Sequence, residues 1–288
     1  MNRIIIIGSA TIDLVVYLPR SFQSGMFLQS NSFEKRFGGC GLNVASGLSS
    51  AKVDAALLSC IGDDDEGKEI IKNSQDIGLK ISVNALPSTP TTSSFILVEP
   101  NGERTIIGLN GDLLPRISLS QLLSLNIVKE DIIIFPSWKS YFIELLDYVQ
   151  TLGCKTVVGL RALADLNVKH ADVAIGSEKE VDSLDSLLID IQRFGKVIIT
   201  HGAQGVTGFL EGKEYNQSSI QAQSVDATGA GDAFLAGYIL GEFKGYSFQD
   251  CLLLGSIWGA KATETIGSIP PLYSEIEGAV KHLIEKRN

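Results

Sequence analysis

IIIIGSATID, residues 4–13, sets four isoleucines side by side and then breaks on Gly8 and Ser9. An unalternating apolar run this short suits a strand buried on both faces, as in a mainly parallel sheet. The rival reading is a secretory leader, but Gly8, Ser9 and Asp13 interrupt the run early and no A-x-A-like site follows. The same kind of run returns as AALLSCIG (55–62), DIIIF (131–135), TVVGL (156–160), DVAIG (172–176) and VIIT (197–200). Helical spacing lies between them. Ile70, Ile71, Ser74 and Ile77 share one face of a helix beginning in DDDEG, and Leu145, Leu146, Val149 and Leu152 repeat the pattern. Strand–helix alternation predicts an α/β fold, a doubly wound, mainly parallel sheet flanked by helices.

Two segments leave that alternation. Residues 14–37 are strand-like and rich in Phe and Ser, and 91–109 hold two β-compatible runs around Asn101-Gly102, a strong hairpin signal. They predict a small β-sheet lid, formed by about 14–37 and 88–110, on one domain spanning 1–288. The last third is helical: DAFLAGYILG is apolar on every side and predicts a buried helix. Ser247 with Asp250 predicts a cap for the next helix. Ser274 with Glu277 predicts a capping box for the last one, with Ile276, Val280 and Leu283 on its core face.

Of the 288 residues 44% are hydrophobic and 20% charged, the composition of a globular chain with a substantial core. A net charge of −9 argues against a nucleic-acid partner. No run approaches the ~18 apolar residues that span a bilayer, so no membrane role is expected. The scattered Cys40, Cys60, Cys154 and Cys251 read as reduced thiols in a cytoplasmic protein.

The familiar nucleotide motifs are missing. The Gly-Lys pairs at 67, 195 and 212 are followed by Glu or Val, so none completes a P-loop. Phe234 and Val44 stand where G-x-G-x-x-G needs its last glycine. TGAGD, opening the apolar helix, remains. Small residues at Gly229, Ala230 and Gly231 let consecutive amides converge on an anion at the helix's positive end. Asp232 read alone is also an ordinary helix-start acid, worth about 0.3–1 kcal/mol. A donor aimed at a reacting oxyanion is worth more, roughly 2.7–4 kcal/mol. The acids at 63–66 are explained as helix-start residues. His170, His201 and His282 lack metal-ligand spacing, and no G-x-S-x-G supports a serine triad.

DATGAGDAF at 226–234 and GGCGLNVA at 38–45 resemble the two signatures of the ribokinase-like (PfkB) carbohydrate kinase family, and GSATID, IGDDDEG and VIITHGAQG match further family segments. The resemblance implies a ribokinase-like fold with a β-sheet lid, and an ATP-dependent, magnesium-requiring kinase acting on a hydroxymethyl group of a sugar or sugar-like molecule. Carried over residue by residue, Asp232 matches the catalytic base and Gly229, Ala230 and Gly231 the anion hole. Asp13, Gly38, Gly39 and Asn43 match substrate-binding positions. Thr200, Gly202, Gly205, Thr228, Gly267 and Ser268 match cofactor-binding positions: the first three the strand and turn of the ATP site, Gly267 and Ser268 the adenine pocket or monovalent-cation loop, and Thr228, with Asp226, positions around a monovalent cation. Glu180 matches a residue organising Mg2+ through water, and Asp226 one near a monovalent cation such as K+. A homodimer through the lid is a further expectation.

The departures are Ser177 for the usual Asn, Cys40 for Lys, Leu42 for a smaller residue, and Gly159 for an acid before Arg161. Arg161 itself reads equally as a surface ion-pair residue or a phosphate contact. The rival acceptor is a nucleoside (adenosine, inosine or pseudouridine), which Phe22, Phe27, Phe33 and Phe37 keep open. A sugar phosphate is disfavoured because only Lys35, Arg36 and Arg104 flank the substrate motifs. A non-catalytic sugar or nucleotide sensor would be expected to lose the base or the anion hole, and both are kept.

Overall fold

The computed structural model describes residues 3–30, 32–100, 104–111, 113–181 and 188–285. In chain order the strands are β1 Ile4–Ile7, β2 Thr11–Tyr17, β3 Ser32–Gly38, β4 Ala55–Gly62, β5 Lys80–Leu86, β6 Ser93–Val98, β7 Arg104–Leu109, β8 Ile132–Phe135, β9 Lys155–Gly159, β10 Ala171–Ser177, β11 Phe194–Thr200, β12 Val206–Leu210 and β13 Lys213–Gln217. The helices are α1 Cys40–Ser50, α2 Asp65–Asp76, α3 Leu119–Ser124, α4 Ile143–Thr151, α5 Ala230–Lys244, α6 Phe248–Ala262 and α7 Tyr273–Val280.

Nine strands form one sheet in the order β13-β12-β11-β10-β9-β8-β1-β4-β5. Pairing is parallel from β5 to β11 and antiparallel for β12 and β13. The isoleucines of β1 show why the run does not alternate in polarity. Ile4 and Ile6 join the core under α1, α5, α6 and α7, while Ile5 and Ile7 join the opposite core under α3 and α4. All four are at most 1% exposed, and each buried side chain contributes about 1.5–3 kcal/mol. β1 lies between β4 and β8, so the chain winds outward on one side and returns to wind outward on the other. Open α/β sheets bind ligands beyond the carboxyl ends of the strands at such a reversal.

A second sheet, β3-β2-β6-β7, stands apart. Only Gly8, Ser9 and Ala10 separate β1 from β2, so this sheet begins at Thr11, earlier than residue 14. The β-branched run TIDLVVY explains the early start. Asp13 therefore lies in a strand, opposite Arg36 of β3 and Ser94 of β6. β6 and β7 pair antiparallel as a hairpin would, while Asn101-Gly102 lies outside the described residues.

Several helix ends follow local chemistry. Asp64 caps α2, accepting from Gly67 N–H at 2.9 Å, with Asp65 and Glu66 in the first turn. Ser247 caps α6. The last helix starts at Tyr273, ahead of the expected Ser274–Glu277 box, because Glu275 accepts from the Leu272 N–H at 2.8 Å and Ser50 Oγ accepts from Tyr273 N–H at 3.0 Å. α5 is buried on all sides from Ala233 to Gly241 and packs between α1 and α6.

Candidate active site

The first turn of α5 is the centre of the site. Gly229 precedes it with a left-handed φ of 73°. A Cβ there would lie 2.0 Å from the Ser268 carbonyl oxygen, so only glycine permits both the turn and the approach. The amides of Gly229, Ala230 and Gly231 fall where N–H groups have no partner within the helix. They sit at its positive end.

Asp232, one residue on, accepts from Asn43 Nδ2 at 2.7 Å. Asn43 belongs to α1, is 3% exposed, and accepts through Oδ1 from Ser268 Oγ at 3.4 Å. The Asp232 carboxyl is pushed up to about 7. Burial is the largest cause, the Asn43 hydrogen bond opposes it, and the charges of Glu180 and Asp13 push further up. Asp13 is itself raised by burial, against a hydrogen bond from Thr11 and the charge of Arg36. Glu180 is raised by burial, against the Ser177 N–H and Arg161. Three carboxyls thus crowd a site whose expected guest is an anion.

The smaller sheet closes over this centre. Asp13, Val15, Arg36, Ile96 and Val98 face Asp226, Thr228 and Ser268 across a cleft of only about 10 Å³. Small-molecule sites usually run from about 300 Å³ upward, so the two sides meet almost directly. Gly38 pairs with Thr11 at the strand end, and a Cβ on it would lie 2.0 Å from Asp13 Oδ2. Gly39 precedes α1, its carbonyl accepting from Asn43 N–H at 2.9 Å. Asp226 pairs with Arg104 of β7 at 3.0 Å, and accepts from Thr228 N–H at 2.9 Å and Gly267 N–H at 3.1 Å. Burial pushes the Asp226 carboxyl up, but these hydrogen bonds and the Arg104 charge outweigh it and hold the group below its ordinary value.

On the other side of the first turn lies a cavity of about 430 Å³. Thr200, Gly202 and Gly205 line it from the β11–β12 turn, with Ala227, Ala230, Gly231 and Phe234 from α5 and the loop before it. Thr228 and Ser268 line the narrow cleft with Asp226 and not the large cavity, and Gly267 bonds to Asp226. Ser256, Gly259, Ala260 and Thr263 of α6 and its end, together with Ser219 to Ala222, also line the large cavity and were missed. The α6 residues carry a readable signal: small or hydroxyl side chains at i, i+3, i+4 and i+7 of an otherwise apolar helix share one face.

Glu180 sits in a single helical turn after β10, one oxygen accepting from Ser177 N–H at 2.8 Å. Among the described residues no three His, Cys, Asp or Glu side chains are grouped to hold a metal. No described helix is long and apolar enough to cross a membrane.

The pfkB family carbohydrate kinase model matches residues 1–275. Ribokinase from Bacillus subtilis is 26% identical over 263 residues, covering 88% of this chain and 89% of that protein. Among solved structures, Arabidopsis thaliana ribokinase superposes with a TM-score of 0.82 at 21% identity, over 98% of this chain and 99% of that one. Burkholderia thailandensis nucleoside kinase gives 0.82 at 19%, over 98% and 97%. The first-turn amides, the carboxylate beside them and this family match converge on one conclusion: the chain belongs to the pfkB family of carbohydrate kinases, and is an ATP-dependent sugar or nucleoside kinase of ribokinase type.

Proposed function

We propose that the chain transfers the γ-phosphoryl group of ATP to a hydroxymethyl group of a sugar or sugar-like molecule, with Asp232 as general base. One observation carries this reading. Asp232, held up to about 7, stands at the turn whose residues line both cavities: Ala230 and Gly231 the larger, Asp226 and Thr228 the smaller. A nucleotide in the first and an acceptor in the second would meet at its carboxylate. The Arabidopsis ribokinase was solved with ribose and ATP.

In this arrangement Asp13 and Asn43 bind acceptor hydroxyls from the lid side and from α1. Asp232 takes the proton of the attacking hydroxyl as its oxygen bonds to the γ-phosphorus, and the bond from that phosphorus to the bridging oxygen breaks, releasing ADP. Phosphoryl transfer has a loose transition state, so positioning and charge stabilisation dominate. The amides of Gly229, Ala230 and Gly231 stabilise the transferring oxygens. Lid closure keeps out water, which competes as acceptor. Mg2+ is typically held by one or two carboxylates, water and phosphates; Glu180, half-buried with one oxygen engaged, fits that use, and the ion would neutralise charge on the phosphates.

The nucleoside reading has weaker support in the lid. Burkholderia nucleoside kinase was solved with inosine. Here the cleft is faced by Val15, Ile96 and Val98. By strand alternation from Arg36, Phe33 and Phe37 project to the other face of β3. ADP release measured over sugars, sugar acids and nucleosides tests the proposal. A sugar is expected to raise it; nucleoside-only turnover would favour the rival, and no response to any acceptor would sink both.

A further inference from the structure

Family resemblance puts a monovalent cation beside Asp226, but both oxygens of that carboxylate are already engaged. Oδ1 accepts from Arg104 Nη1 at 3.0 Å, from Thr228 N–H at 2.9 Å and from the Thr228 hydroxyl at 2.5 Å. Oδ2 accepts from Gly267 N–H at 3.1 Å and faces Arg36 Nη1 at 4.0 Å. The Arg104 guanidinium also meets Thr228 Oγ1. Of about four lone-pair sites on a carboxylate, three hydrogen bonds crowd Oδ1 and one reaches Oδ2, whose open side faces the Arg36 guanidinium. An ion such as K+ there would stand against two guanidinium groups, Arg104 on Oδ1 and Arg36 near Oδ2.

We propose that Arg104 is a positioning residue that delivers to Asp226, from the lid, the positive charge a monovalent ion would otherwise supply. The proposal rests on the kinase reading above. It has a mechanical consequence that an ion would not have. An ion can bind Asp226 wherever the lid stands, but Arg104 is the first residue of β7 and reaches Asp226 only with that strand down on the body. Asp226 starts the loop that ends in Gly229, and its backbone N–H is tied to the Thr263 carbonyl at the end of α6. Closing the lid and setting the anion-hole loop thereby become one event.

The test compares K+ with tetramethylammonium at equal ionic strength, using the Tris salt of ATP. Wild-type turnover is expected to agree within two-fold between the salts, and its melting temperature to be the same in both. Arg104→Ala is expected to lose ten-fold or more of kcat in tetramethylammonium, to recover most of it in K+ or guanidinium, and to melt higher in K+. Arg104→Lys keeps a cation on β7 and is expected to stay indifferent to K+. Activation of the wild type five-fold or more by K+ would overturn the proposal, as would an Arg104→Ala protein that neither salt rescues. Melting temperatures need no acceptor, so they judge Arg104 even if no acceptor is phosphorylated, an outcome that would count against the kinase reading alone.

Discussion

At the residue scale the proposed chemistry turns on one carboxyl. An aspartate with its ordinary value near ~3.9 is a poor base toward an alcohol. Asp232 at about 7 is a better one, and is about half ionised at neutrality. Asp232→Asn should lower turnover by about 10²–10⁴-fold while leaving ATP affinity in calorimetry near wild type; near-normal turnover would exclude the base assignment. The same variant should melt higher at pH 8. A carboxyl whose folded value is raised costs stability that is absent below its unfolded value and grows as pH climbs through the folded one. The amide escapes that cost. The pH profile gives a separate check. kcat/KM should fall on the acid side with an apparent value near 7, because the protonated base is inactive. Asn43→Ala removes the hydrogen bond that favours the ionised form, so its acid limb should move to higher pH. A limb that stays put or moves down would break the link between Asn43 and Asp232.

At the element scale, α5 aims the site and its far end is anchored beneath the sheet. Glu242 receives Lys155 of β9, Lys196 of β11 and the Tyr238 hydroxyl at 2.7 Å. Burial would push it up, but these donors win and hold it down from 4.5 to about 2. A depression of that size corresponds to about 3 kcal/mol. This stabilisation is present above the unfolded value and is lost as pH falls from about 4.5 towards 2. Glu242→Gln should therefore lose about 3 kcal/mol in urea unfolding at pH 7, with the gap to wild type falling to less than half of that by pH 3. An equal gap at both pH values would mean that packing, not charge, carries the loss. The buried helix itself was readable from DAFLAGYILG, whereas these lysine partners were not. Lys155 and Lys196 are 87 and 46 positions away, and nothing local marks them.

For the whole molecule, a cleft of about 10 Å³ has no room for a small molecule, so in the proposed function an acceptor enters only after the small sheet lifts. Amide exchange should be faster in β2, β3, β6 and β7 than in β1, whose side chains are at most 1% exposed. Acceptor with a non-hydrolysable ATP analogue should slow exchange in the lid strands; no change there would argue that they do not close on substrate. The sheet and the first turn of α5 were legible because their signals are local: a side-chain period, a turn glycine, a helix start. The lid was legible as strands, but not its starting residue or which of its side chains face the body. A matched motif gives proximity to a site without saying on which side of a helix terminus a residue falls: Thr228 and Ser268 line the narrow cleft, Thr200 and Gly205 the large cavity.

What the sequence by itself determined is a two-sided sheet, because four adjacent isoleucines must bury both faces, and an anion-receptive turn beside a carboxylate, because TGAGD is contiguous. Only the tertiary structure decided that Asn43 meets Asp232 across 189 positions, and that Arg104 meets Asp226 across 122. Such pairings depend on strand order and lid register, which are set by how whole layers pack, and side-chain periodicity along the chain carries no record of them.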